Sequence, residues 1–125
     1  MIADALADDT AAAPPLAAAA LTETAALYAE AMRLGAKARA CFDDGGDATT
    51  ARAKLRPEGR LAVATESLRV TARLLEIVTA LIVRQAGGIA PVRVRDDTPV
   101  PGRLGGEART IADAVRDLYL RTFPV

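Results

Sequence analysis

The sequence predicts an all-α fold, a three-helix bundle with a long central helix. Three observations predict it. Alanine, the strongest helix former, fills 29 of the 125 positions, while aromatic residues make up 3% and Trp is absent. In three separate stretches, apolar residues recur at alternating steps of four and three, the rhythm of one helix face. Between those stretches lie clusters of Gly, Pro and Asp, which end a helix rather than continue it. A chain of this length makes one domain.

Residues 1–15 read as a mobile tail, since Asp4, Asp8 and Asp9 repel one another and Pro14 and Pro15 block helix before them. The alanine run at 17–20 lacks the positive n-region of a secretory signal, because no Lys or Arg precedes Arg33. The remaining chain, 16–125, forms the bundle domain. Its first helix spans about 16–42. Leu21, Ala25, Tyr28, Met32, Gly35 and Phe42 form the inner stripe, with Leu27, Ala31, Leu34 and Ala38 beside it. Glu23 and Glu30 precede Arg33 and Lys37, an order that suits the helix dipole. Asp43-Asp44-Gly45-Gly46-Asp47 then stops the pattern.

The second helix, about 57–86, is the most informative. Pro57 and Glu58 suit a first turn. Leu61, Thr65, Leu68, Ala72, Leu75, Thr79, Ile82 and Ala86 keep an unbroken four-three rhythm. Val63, Val70, Leu74, Ile77 and Leu81 form a second stripe beside it. Only Glu66, Arg69, Arg73, Glu76 and Arg84 interrupt these stripes, so the helix is expected to be the longest and most buried. On that reading, Leu68→Ala or Leu75→Ala costs about 2–5 kcal/mol each. Gly87-Gly88 closes the helix. Residues 89–103 read as an extended linker, in which Val92-Arg93-Val94-Arg95 alternates but has no partner strand. The third helix, about 104–123, sets Leu104, Ala108, Ile111, Val115 and Leu118 inward. Arg109, Asp113, Arg116, Asp117 and Arg121 alternate in sign outside.

Composition excludes several function classes. There is no His, one Cys (Cys41) and one Ser (Ser67), so Ser-His and Cys-His nucleophile pairs and most zinc sites have no ligands. The chain is therefore read as no enzyme, with no cofactor and no metal. A single thiol fits a reducing cytoplasm, and Cys41 reads as a small buried hydrophobe. Sixteen bases balance sixteen acids, which leaves no global field for nucleic acid or an anionic membrane. The glycine pairs fit no phosphate-loop spacing, and Asp8-Asp9, Asp43-Asp44 and Asp96-Asp97 read as solvated turns.

The residues that stand out are Glu66, Arg69, Arg73 and Glu76, a charged strip on the most apolar helix. They are either an internal ion-pair network or a site for a protein partner. Helices 1 and 3 are alanine-rich on their inner faces, so a bundle of this size buries little surface, and a second copy is expected to cover a remaining stripe of helix 2. The stripe expected at this homodimer interface is Val70, Leu74, Ile77 and Leu81, with Arg73 and Glu76 at its rim.

The run from Ala62 to Ala86 resembles the central helix of the alphaproteobacterial RcdA-like proteins, regulators of degradation of the cell-cycle regulator CtrA. The family core Ala-x-Glu-Ser-[LM]-Arg-[LV]-Thr-x-Arg-Leu is matched by Ala64 and by Glu66 through Leu74. Leu118-Tyr119-Leu120-Arg121 resembles the family's closing Leu-Tyr-x-Arg, and Tyr28 through Leu34 resembles its first helix more loosely. The resemblance implies a dimeric three-helix bundle without cofactor, an adaptor that brings client proteins to the ClpXP protease. Its partners would then be protease or adaptor components and a client. The residues by themselves also admit a helical regulatory or structural protein that binds a different cytosolic partner, or a ligand-binding bundle.

Overall fold

The structure, a computed structural model, describes residues 15–43, 54–89 and 94–124. It consists of three helices, α1 (Pro15–Phe42), α2 (Pro57–Gln85) and α3 (Gly106–Thr122), each packed against the other two. The described residues contain no strand. The fold is an all-α bundle, as the periodicity predicts. The expected tail lies outside the described residues except for Pro15, which opens α1 at a position where its missing N–H costs nothing.

Pro57 does the same for α2, after an extended Arg56 and with Glu58 in the first turn. The far end of α2 closes through a left-handed glycine: Gly87 takes φ 80°, its N–H donates to the Arg84 carbonyl at 3.0 Å, and Gly88 N–H donates to the Val83 carbonyl at 2.9 Å. With 29 residues against 28 in α1, α2 is not clearly the longest helix.

The core forms where the three helices meet. From α3 it takes Ala108, Ile111, Val115 and Leu118, the expected face, together with Ala112 and Tyr119, and Leu104 joins them from the turn just before the helix. From α1 it takes Leu27, Ala31, Leu34, Ala38 and Cys41, with Thr24 on the same line. The stripe expected to lead, which includes Leu21 and Met32, is rotated outward, and those two side chains are more than half exposed. Both α1 stripes carry large apolar side chains, so periodicity alone does not choose between them, and Tyr28 and Phe42 of the outer stripe still pack half-buried against the core.

The main correction concerns α2. Val63, Val70, Ile77 and Leu81 are buried inside the protomer, and Leu74 packs half-buried against them. The stripe expected to meet a second copy is therefore already covered by α1 and α3. The other stripe faces out: Leu61, Leu68, Leu75 and Ile82 are 68%, 73%, 64% and 51% exposed. Leu68 and Leu75 are not core residues, and the stability cost expected for them moves to Ile77 and Leu81. Nor is α2 the most buried helix for its length. Seven of its 29 residues are buried, against seven of 17 in α3.

Candidate functional site

The inward face of α2 carries charge as well as aliphatic side chains. Glu66 and Arg73, two turns apart between Val63, Val70 and Ile77, are 0% and 2% exposed. What permits a buried guanidinium is the segment leading into α3. Residues 94–101 run without helix or strand across the bundle, and Val100 among them is buried. Pro99 and Pro101 have no N–H to donate, and a backbone outside helix and strand leaves carbonyls unpaired, so the segment offers acceptors. Arg73 Nη2 donates to the carbonyls of Thr98 at 2.6 Å and Asp96 at 3.0 Å. Its guanidinium also lies 5.5 Å from the Tyr119 ring centroid, close enough for a cation–π contact.

The remaining members of the charged strip complete a network around this strap. Arg69 Nη1 pairs with Glu66 Oε2 at 2.6 Å, and Asp96 Oδ2 lies 3.8 Å from Arg69 Nε and 3.7 Å from Arg73 Nη2. Tyr119 links both sides, since its hydroxyl donates to Glu76 Oε2 at 3.0 Å and accepts from the Asp96 N–H at 3.0 Å. From α3, Arg116 donates to the carbonyls of Asp97 and Thr98. Near the bundle end, Arg95 reaches the Phe123 carbonyl at 3.0 Å, and Arg84 reaches that of Thr122 at 2.7 Å. Glu66 Oε1 and the Nε and Nη1 of Arg73 have no hydrogen-bond partner among the described residues.

Ionisation follows from this packing. Burial pulls Arg73 below the ordinary arginine value, while Asp96 and Glu66 oppose the shift. The Thr98 hydroxyl and amide, with Arg73 and Arg69 behind them, hold Asp96 below the usual carboxylate range. Burial raises the Tyr119 hydroxyl, and its bond to Glu76 adds to the shift.

Glu66, Arg69, Arg73 and Glu76 are thus brought together, but around the strap rather than toward a partner. Glu66 and Arg73 cannot contact another protein without unfolding their surroundings. Arg69 and Glu76 stay partly accessible at the edge of the outward face. Asp96, read as a solvated turn, is half exposed yet belongs to the network. Tyr119 and Thr98, its other essential members, carry no spacing signal that separates them from ordinary core and loop residues.

The surface available for binding is the opposite face of α2. Leu61, Leu68, Leu75 and Ile82 alternate along it with the exposed small residues Thr65, Ala72, Thr79 and Ala86. Beside it, a groove of about 480 Å³ lies between α1 and α2, lined by Met32, Gly35, Phe42, Leu75 and Val78 among others. A second cleft, of about 890 Å³, separates the first turns of α2 and α3, with Leu55, Val63 and Leu104 in its wall and Arg56 and Arg103 at its edge. Among the described residues, no group of three His, Cys, Asp or Glu side chains is placed to hold a metal, and no helix is long and apolar enough to cross a membrane.

Comparison with curated proteins and with solved structures gave no significant match. A family model does match, from residue 17 to residue 98, a span that takes in α1, α2 and the start of the strap. The chain therefore belongs to the DUF1465 family, described as proteins of unknown function.

Proposed function

We propose that this protein is a non-enzymatic interaction adaptor, acting in regulated proteolysis and cell-cycle control by bringing client proteins to a ClpXP-type protease. One observation carries the reading: α2 turns Leu61, Leu68, Leu75 and Ile82, with no charged residue between them, to solvent on a bundle that has a core of its own. A face of this kind recruits another protein, and its side chains offer contact rather than chemistry. The likeness of Glu66 through Leu74 and of Leu118 through Arg121 to the RcdA-like proteins supplies the process. In this reading the chain acts as a cytoplasmic homodimer, and its partners are protease or adaptor components and a client.

Capture from cytosol on the immobilised full chain, followed by reconstitution, tests this. The reading expects the unfoldase ClpX or an associated adaptor in the eluate. A co-captured client should then be degraded several-fold faster by ClpXP when the chain is added. Capture of other cytosolic proteins alone, with no change in degradation, replaces the proteolytic role with that of a regulatory or structural partner protein.

A further inference from the structure

We infer that the cleft between the first turns of α2 and α3 binds a linear aliphatic carboxylate, an anion of the medium-chain fatty-acid class. The inference goes beyond the adaptor reading and uses neither the outward face of α2 nor the network under the strap. Three properties of the cleft point to this ligand.

The first is the wall. Leu55, Ala62, Val63, Leu104 and Ala108 line a space of about 890 Å³, within the range of about 300–1,000 Å³ that small-molecule sites occupy. Val63, Leu104 and Ala108 are buried and form its floor. Leu55 precedes α2 and folds back over the first turn. A Cβ added at Gly59 would stand 3.2 Å from Leu55 Cβ and 3.4 Å from its Cδ1, so the missing side chain of Gly59 is what lets Leu55 settle there. Even so, Leu55 stays 41% exposed, apolar surface that a ligand tail would cover. No aromatic side chain lines the cleft among the described residues, so a nucleobase has nothing to stack on.

The second is charge. Lys54, Arg56 and Arg103 line the same cleft, all three exposed, and none forms an ion pair among the described residues. Folding does not explain bases in these places. Arg84 near the end of α2 donates to the Thr122 carbonyl at the end of α3, so the two helices run parallel and begin side by side. Their positive dipole ends are adjacent, and neither Arg56 nor Gly105, the N-cap residues, supplies a side-chain cap. Unpaired bases there oppose the helices unless an anion joins them. Glu58 and Glu107 share the lining, so three bases face two acids and one net positive charge remains. That balance suits a monoanion and repels a polyphosphate.

The third is the shortage of acceptors. A bound peptide brings an N–H at nearly every residue, each of which needs a partner once it leaves water. The backbone carbonyls beside the cleft are engaged already. Arg56 accepts from the Arg60 N–H, Gly105 accepts from the Arg109 N–H, and the Arg109 guanidinium donates to Pro101 and Leu104. Apart from the two carboxylates, the rim offers donors. An acyl carboxylate uses donors at its head, near Arg56 and Arg103, and asks for none along the tail that lies on Leu55, Val63 and Leu104.

The test is a titration of the ¹⁵N-labelled full chain with sodium decanoate, kept well below its micelle-forming concentration. We expect saturable amide shifts at residues 54–63 and 103–108, with a Kd between about 10 µM and about 1 mM. Uncharged decanol should bind at least about 10-fold more weakly, and the double variant Arg56→Gln/Arg103→Gln should weaken decanoate at least about 10-fold. Both arginines are exposed, so helicity should not change. Leu55→Ser, also at an exposed position, should weaken the acyl tail's binding without changing helicity. Shifts centred on Leu68, Leu75 and Ile82 overturn the site, and so does decanoate binding that neither variant weakens. Decanol binding as tightly as decanoate overturns the anionic ligand. Tighter binding of an acetylated Ala-Ala-Leu peptide with a free carboxylate also overturns the proposal, in favour of a polypeptide C-terminus. None of these measurements involves a protease or a client, so the adaptor reading stands or falls separately.

Discussion

The two faces of α2 reverse what hydropathy alone would assign them. The face carrying Leu61, Leu68, Leu75 and Ile82, with no charged residue along it, points to solvent. The face carrying Glu66 and Arg73 points into the bundle beside Val70, Ile77 and Leu81. Orientation follows from which face the rest of the chain can complement. The inward face finds aliphatic neighbours on α1 and α3, and its guanidinium finds carbonyls on the strap. The outward face finds nothing of the kind among the described residues. A buried arginine can therefore mark the inside of a helix more reliably than a row of leucines, provided a segment elsewhere supplies acceptors.

If that contrast is correct, disturbing the inward face should be costly. The largest effect is expected at Arg73. Arg73→Ala leaves the Thr98 and Asp96 carbonyls without their donor and takes a nearby positive charge from the Asp96 carboxylate and from buried Glu66, which keeps Arg69, at about 3–5 kcal/mol, the usual cost of breaking a buried ionic network. Hydrogen exchange should show residues 94–100 released while the helices stay protected. Ile77→Ala follows at about 2–5 kcal/mol in denaturant melts, as for any aliphatic side chain removed from a packed core. Tyr119→Phe keeps the ring against Phe123 and loses the hydroxyl bridge between Glu76 and the Asp96 amide, for about 1 kcal/mol.

Two of these groups also give the contrast a pH signature. In the folded chain Asp96 holds its proton less tightly than in the unfolded chain. Its contribution is thus complete above the unfolded carboxylate value, about 3.9, and is lost as the pH falls through the lower folded value. Asp96→Asn should flatten the acid limb of stability below about pH 4. Tyr119 shifts the other way. Its contribution is complete below about pH 10 and is lost as the pH rises from there toward the folded value, a component that Tyr119→Phe should remove.

How much of this could be read from the sequence differs by helix. For α3 the face was legible, because Ile111, Val115 and Leu118 stand opposite an unbroken row of charges and only one rotation buries them. The α1 rhythm was legible but its rotation was not, since large apolar residues stand on both stripes, Tyr28, Met32 and Phe42 on one and Leu27 and Leu34 on the other. For α2 both stripes were legible as stripes. Two apolar faces at the same seven-residue interval say nothing about which of them turns inward. The network was legible as a strip of four charges, and its meaning depended on Thr98 and Asp96, more than twenty positions away. Backbone carbonyls leave no trace in residue identity, so no spacing argument finds them.

The smallest expected effect completes the comparison and tests it most directly. Leu75→Ala and Leu81→Ala remove the same atoms from one helix, six positions apart, and differ only in the face they leave. Denaturant unfolding of both variants belongs at submicromolar concentration, where any dimer is dissociated. We expect Leu81→Ala to lose about 2–5 kcal/mol and Leu75→Ala to stay within about 0.5 kcal/mol of wild type. Equal losses, or a larger loss for Leu75→Ala, would contradict the orientation of α2 and the interaction surface built on it.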